Sequence, residues 1–211
     1  MGGSLVVTLI RHGQTEPNER SQYLGWEDVS LSKKGLLTIR SLAEKDYPEG
    51  MLYVCSDLKR CQETFSILYK DKIDVVHVTK GWREINFGDW ELQTYEELKH
   101  QMSYRNWLDD RYRVTPPNGE STLLFEKRML TAWQMLIEMA QVKGTNELVI
   151  VTHGGPIQWF MSIAVPDEKA FFEWKPLYGE GYQIITTFER VKEGRPCISY
   201  QEVPFRGKAN G

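Results

Sequence analysis

Leu5-Val6-Val7-Thr8-Leu9-Ile10-Arg11-His12-Gly13 is the stretch on which the fold turns. Its first six residues are apolar or β-branched on both parities, as in a strand buried on both faces of a sheet. Arg11-His12-Gly13 then closes the run with a cation, an imidazole and a glycine that permits close backbone approach. The same arrangement returns far along the chain, where Glu147-Leu148-Val149-Ile150-Val151-Thr152 leads into His153-Gly154-Gly155. Two strands ending in the same chemistry suggest one sheet edge.

Between these strands the pattern alternates. Ser32 is placed to cap a helix whose stripe is Leu36, Ile39, Leu42 and Ala43. A second strand is expected over 51–55, a helix opening at Ser56-Asp57 and carrying Leu58, Phe65 and Leu68, and a third strand over 73–78. Residues 13–30 read as a polar, turn-rich connection. Thr94 to Glu97 has the form of a capping box, opening a helix that ends near Asp110. A loop follows over 111–119, then a long helix over 121–142. After the strand over 147–152, Gly154-Gly155-Pro156 starts another helix. Two late strands over 182–188 and 197–203 are joined through residues 192–195, and the tail after Pro204 is polar. Strands alternating with helices predict an α/β fold, a three-layer αβα arrangement on a mostly parallel sheet. Residues 1–211 read as one domain with a helical insertion at about 85–145. Ligands of such sheets gather at the C-terminal strand edges, where both His12 and His153 fall.

Bulk properties narrow the function. The 211 residues suffice for one substantial core, and 41% hydrophobic with 26% charged residues is an ordinary globular balance. A formal net charge of −3 gives no whole-chain attraction to nucleic acid or anionic membrane, so an anion site must be local. Cys55, Cys61 and Cys197 show no metal spacing and leave one thiol over in any disulfide scheme, which points to a reducing, cytoplasmic-type compartment. No basic leader precedes residue 5, and its apolar run is too short to span a bilayer.

Each candidate has a bland reading beside the chemical one. His12 or His153 alone is a polar residue at a strand end, but the pair on one edge is harder to set aside. Arg60, in the first turn of a helix after the second strand, suits a phosphate cradle or a solvated basic face. Glu84, among apolar and aromatic neighbours, suits a general acid. Locally, though, Arg83-Glu84 reads as a surface ion pair. His77 and His100 have no glycine or arginine partner beside them and read as structural. Cys61 beside Arg60 is a weak candidate for an activated thiol. Trp82, Trp90, Trp107 and Trp133 read as core packing, and no Cys/His or carboxylate spacing indicates a metal.

The ordered set resembles the histidine phosphatase superfamily, which includes cofactor-dependent phosphoglycerate mutases and many small-molecule phosphatases. The matching pieces are L-I-R-H-G-Q-T-E-P-N from Leu9, L-S-K-K-G from Leu31, C-S-D-L-K-R-C-Q-E-T from Cys55, R-E-I-N-F-G-D-W-E from Arg83, N-G-E-S from Asn118 and V-T-H-G-G from Val151. The resemblance implies that His12 is the phosphate-accepting nucleophile and Glu84 the proton donor. Arg11, Arg60 and His153 would surround the phosphoryl group, with Asn18 and Gly154 as further phosphate contacts. It implies no metal and no cofactor. A slot that usually holds glutamine in broad-specificity bacterial members is occupied by Leu24, with Gln22 two residues earlier.

The expected activity is hydrolysis of small-molecule phosphomonoesters, in the broad-specificity or α-ribazole-type branch. A cofactor-dependent phosphoglycerate mutase is the alternative. Mutases carry G-L-N-K-type residues after the donor, where this chain has Gly88-Asp89-Trp90-Glu91. A non-catalytic phospho-ligand module is the second alternative, and it would need neither His12 nor Glu84. The expected partner is a small phosphate ester, with no nucleic acid or membrane, and the sequence carries no signal for oligomeric state. Tyr104, Trp107 and Arg111 are candidates for a pocket wall or for packing of the insertion.

Overall fold

The computed structural model describes residues 3–166 and 169–205. Its frame is a six-stranded sheet of β1 (Ser4–Arg11), β2 (Leu52–Ser56), β3 (Val76–Thr79), β4 (Glu147–Thr152), β5 (Gly181–Thr187) and β6 (Ser199–Val203), in the order β3-β2-β4-β1-β5-β6. The first four in that order run parallel, and β5 and β6 add an antiparallel flank. The expected mostly parallel α/β sheet is therefore what the chain forms. Alternation within β1 explains its doubly apolar sequence. Leu5, Val7 and Leu9 face one core with α6 (Thr122–Lys143) and α7 (Gly154–Ala164), while Ile10 faces another with Cys61 and Phe65 of α3 (Lys59–Leu68). Helices thus cover both faces.

Capping follows the local sequence. The Ser32 hydroxyl accepts from the Gly35 N–H at 3.0 Å and opens α2 (Lys33–Leu42). Ser121 caps α6, which ends where Gly144 turns left-handed at φ +65°. Several expected boundaries move. Residues 70–75 form a 3-10 coil, so the third strand starts at Val76, not at Ile73, because β2 offers no partner before the Tyr53–Val76 pair. The helix expected from Thr94 to Asp110 is two, α4 (Tyr95–Leu98) and α5 (Met102–Asp109). The capping box is real, but Leu98 and then Tyr104 and Trp107 reach one small cluster around Trp90 only if the axis breaks between them. The turn-rich stretch holds a short helix, α1 (Glu16–Glu19), capped by Thr15. Phe188 leaves the sheet to begin α8 (Phe188–Lys192), capped by Thr187, and β6 starts at Ser199 instead of Cys197. Beyond Phe205 the expected polar tail lies outside the described residues. Among the described residues no helix is long and apolar enough to cross a membrane.

Leu9 is fully buried at the sheet centre. Leu9→Ala is expected to lower the unfolding free energy in urea melts by about 2–5 kcal/mol. Leu123→Ala, at a side chain 62% exposed, should stay within about 0.5 kcal/mol. Equal small losses at both positions would contradict the burial of β1.

Candidate active site

Parallel pairing of β1 with β4 sets Arg11 opposite Thr152, and the next backbone N–H, that of His12, donates to the Thr152 carbonyl at 2.8 Å. The two strand-end histidines therefore lie side by side, with ring centroids 5.0 Å apart and planes at 64°. Both are buried. His12 Nδ1 lies 2.7 Å from the Gly13 carbonyl, which can only accept, so the proton sits on Nδ1 and Nε2 of the neutral ring keeps its lone pair. Burial, with Arg60 and Arg11 nearby, holds the His12 ring well below the usual imidazole range. His153 is lowered in the same way, by burial first and then by Arg60, and its Nε2 meets the Ser56 hydroxyl at 2.8 Å. Two neutral imidazoles stand side by side at the strand ends.

Arg60 is wholly buried in the first turn of α3. Its Nη1 and Nη2 donate to the carbonyls of Glu27 and Gly25 at 2.8 and 2.6 Å, and its Nε has no partner among the described residues. The solvated-face reading of Arg60 is thereby excluded. Arg11 spends Nη1 on the Pro176 carbonyl at 3.1 Å, and its Nε is also buried without a partner. Neither guanidinium has a carboxylate within ion-pair distance among the described residues, so each holds a buried Nε donor and no anion.

Glu84 corrects a local reading. Arg83 pairs not with Glu84 but with Asp57, through two contacts of 2.6 Å. Freed from that neighbour, Glu84 turns inward. Its carboxylate accepts from its neighbour Ile85 N–H and from Gly155 N–H in the first turn of α7, both at 2.9 Å. Burial raises its proton affinity against the opposing pull of those amides and of Arg11 and Arg60. Residues that sequence reasoning passed over hold this loop. Arg128 of α6 donates to the carbonyls of Gly81, Arg83 and Glu84 while ion-paired to Glu120. Trp26 Nε1 donates to the Glu84 carbonyl at 2.9 Å. The Glu91 carboxylate gathers the N–H groups of Gly25, Trp26 and Phe87. Glu91 and Glu120 both lie inside motifs that carry the family resemblance, whereas Arg128 has no local signal beyond its charge.

The remaining candidates fall around the opening. Asn18 uses Oδ1 within the α1 capping box and lines a cleft of about 370 Å³ with Arg11, Gln22, Tyr23, Tyr95 and Tyr178. The Gln22 amide donates to the Leu92 carbonyl, and Leu24 is buried beside it. Gly154 lies beside Arg11 and Glu84: a Cβ there would sit 3.7 Å from the Arg11 guanidinium carbon. A larger groove of about 500 Å³ lies between β3 and α6, lined by His77, Trp82 and Met135 among others, and shares no residue with the cleft beside Arg11. Tyr104 and Trp107 are buried in the Trp90 cluster, which favours packing over a pocket wall, and Arg111 stacks between Trp107 and Phe172. Burial pushes the Cys61 thiol up to about 12, leaving it inert. His77 and His100 are exposed and outside the site, and Trp82 and Trp133 belong to the main core. Among the described residues no three His, Cys, Asp or Glu side chains are grouped to hold a metal.

This geometry has relatives. The chain is 29% identical over 152 residues to an adenosylcobalamin/alpha-ribazole phosphatase of Salmonella typhimurium, spanning 70% of this chain and 73% of that protein. It is 30% identical over 188 residues to phosphoglycerate mutase 1 of Saccharomyces cerevisiae, covering 72% of this chain and 74% of the mutase. The crystal structure of a putative alpha-ribazole-5'-P phosphatase from Escherichia coli superposes with a TM-score of 0.77 at 22% identity, covering 89% of this chain and 93% of that one. The sequence profile of the histidine phosphatase superfamily (branch 1) matches residues 7–192, nearly the whole of the frame that carries the paired histidines. The chain belongs to the histidine phosphatase superfamily.

Proposed function

We propose that the protein is a metal-independent phosphomonoesterase that hydrolyses small-molecule phosphate esters through a phosphohistidine on His12. The observation that carries this reading is a neutral imidazole with its Nε2 lone pair free, set beside the buried Arg60 and the half-buried Arg11, each with a buried Nε that lacks a partner among the described residues. In the first step Nε2 attacks phosphorus as the ester P–O bond breaks. The Glu84 carboxyl gives its proton to the leaving oxygen, and the Gly13 carbonyl holds the Nδ1 proton of the phosphorylated ring. In the second step water attacks the same phosphorus, Glu84 takes its proton, and the P–N bond breaks to return neutral His12 and orthophosphate. Arg11, Arg60 and His153 surround the equatorial oxygens, with Asn18 and the Gly154 backbone at the rim, and stabilise charge as it develops. The tyrosines at the opening favour a leaving group with a planar or hydroxylated face, as an α-ribazole phosphate would present.

Phosphate release from a panel of phosphomonoesters, with and without chelator, tests the reading. His12→Ala is expected to abolish turnover, acid-labile phosphate should be trapped on the wild-type chain, and chelator should change nothing. A mutase would instead need a bisphosphorylated primer and would return the phosphate to an isomeric product. Residual activity in His12→Ala near the wild-type rate would end the proposal.

The pH dependence follows from the two shifts. The His12 ring titrates well below 6.5, so the nucleophile is lost only in more acid solution; Glu84 titrates above 4.5, so its donor form is lost as pH rises through that raised value. Glu84→Gln should remove the alkaline limb of kcat/KM and slow alkyl phosphates by about 10²–10⁴-fold, while sparing activated aryl phosphates. Equal losses on both substrate classes would argue against the donor role.

Gly155 gives a steric test. A Cβ there would stand 2.1 Å from Glu84 Oε1. Gly155→Ala must displace the carboxyl, and a shift of about 1 Å can cost on the order of 10²-fold in rate. Gly154→Ala meets only ordinary contacts at 3.7 Å and should be far milder, as measured by kcat/KM on an alkyl phosphate.

A further inference from the structure

We infer that Tyr178 is a positioning residue whose ring holds the Arg11 guanidinium with its Nε edge open for the phosphoryl group. The inference rests on the anion-binding role assigned to Arg11 above. Arg11 is the last residue of β1, and the segment from Pro176 to Glu180 closes over it at four points. The Arg11 N–H donates to the Glu180 carbonyl and the Gly179 N–H donates to the Arg11 carbonyl, both at 2.9 Å. The Pro176 carbonyl takes Nη1. The half-buried Tyr178 ring lies under the guanidinium, 4.0 Å from its central carbon, and its centroid is 6.1 Å from that of His12.

The geometry divides the cation by direction. Guanidinium N–H groups point outward in the plane, whereas an aromatic ring engages the face. A ring below and a carbonyl on Nη1 therefore fix the plane without consuming the opposite edge, where Nε is buried without a partner among the described residues. A carboxylate would hold Arg11 as firmly but would occupy the donors and cancel the charge. Tyr178 also lines the cleft with Asn18, Gln22, Tyr23 and Tyr95, so the ring stands between the anion cradle and the opening.

The test is calorimetric titration of the full chain with inorganic phosphate, beside kcat/KM on a phosphomonoester and a melting curve. Face-on cation–π contacts are typically worth about 0.5–2 kcal/mol, which corresponds to roughly 2–30-fold. Tyr178→Leu should weaken phosphate binding within that range and raise KM more than it lowers kcat. Tyr178→Phe, which keeps the ring face, should restore most of the affinity. In an Arg11→Lys background Tyr178→Leu should cost almost nothing further, because the flat cation it orients is gone. Should the leucine variant melt early, Tyr178→Met, which keeps bulk without a π face, takes its place. Unchanged phosphate affinity in the leucine or methionine variant overturns the inference, as does a phenylalanine variant as weak as leucine or a full additive loss in the Arg11→Lys background. A wild-type chain that binds no phosphate would instead overturn the anion-site reading beneath it.

Discussion

The parallel hydrogen-bond ladder between β1 and β4 is the constraint on which everything else depends. It is formed by two sequence runs some 140 residues apart, and its register puts Arg11 opposite Thr152. Once that pairing is set, His12 and His153 are neighbours by backbone geometry, before any side-chain interaction is considered. β2 lies on the other side of β4, which brings Ser56 and the start of α3 to the same edge and so delivers Arg60. A slip of one residue in the β1–β4 pairing would turn every apolar side chain of β1 to the opposite core. Burial on both faces therefore specifies the register, and the register specifies the site.

The cluster that results is poorly neutralised. Two guanidinium groups and two imidazoles converge, and the facing carboxylate, Glu84, is not within ion-pair distance of either arginine among the described residues. Desolvating cations without partners is expensive, and the structure limits the cost in two ways. The imidazoles stay neutral, since burial and the arginines both oppose a further proton. Most of the guanidinium donors that are satisfied meet backbone carbonyls, from Gly25, Glu27 and Pro176, which accept hydrogen bonds without cancelling charge. On the proposed reading, an arriving phosphate dianion finds charge already fixed in place, with no ion-paired carboxylate to displace. The same logic sets the state of Glu84. The Gly155 and Ile85 amides favour its ionised form, but burial outweighs them and raises its proton affinity, which is the direction the proposed donor role requires.

How much of this was legible in the sequence depended on the range of the interaction. Strand ends with Arg-His-Gly and Thr-His-Gly-Gly were readable because a doubly apolar run followed by a polar break has one structural meaning. Ser32 and Ser121 were readable as caps for an equally local reason. The Arg83–Glu84 pair misled because adjacency in sequence is no guide to contact: Asp57, at the end of the next strand over, competes for Arg83 with better geometry. The third strand and the 94–110 helix depart from their local sequence patterns for a related reason. Ile73 and Val75 look like strand residues but stay exposed, since β2 begins its pairing with β3 only at Val76. The helix breaks because the Trp90 cluster draws Leu98, Tyr104 and Trp107 to one place.

The chain between β3 and β4 is best understood through what it holds. Arg128, from the long α6 helix, reaches the carbonyls of Gly81, Arg83 and Glu84 and is itself fixed by Glu120. Glu91 ties the Phe87 turn to Gly25 and Trp26, and the Trp26 indole returns to the Glu84 carbonyl. The loop that carries Glu84 is therefore pinned from α6 on one side and from the segment after α1 on the other. That same segment supplies the carbonyls that orient Arg60. Glu84 and Arg60, the proposed proton donor and one of the proposed phosphate ligands, thus share one scaffold though far apart in sequence. A disturbance at Glu91 would reach both without touching either side chain. It follows that the R-E-x-x-x-G-x-W-E spacing has a mechanical side as well as a chemical one: Glu84 is the carboxyl to which the proposed mechanism gives the proton transfer, and Glu91, seven residues on, ties down the loop that carries it.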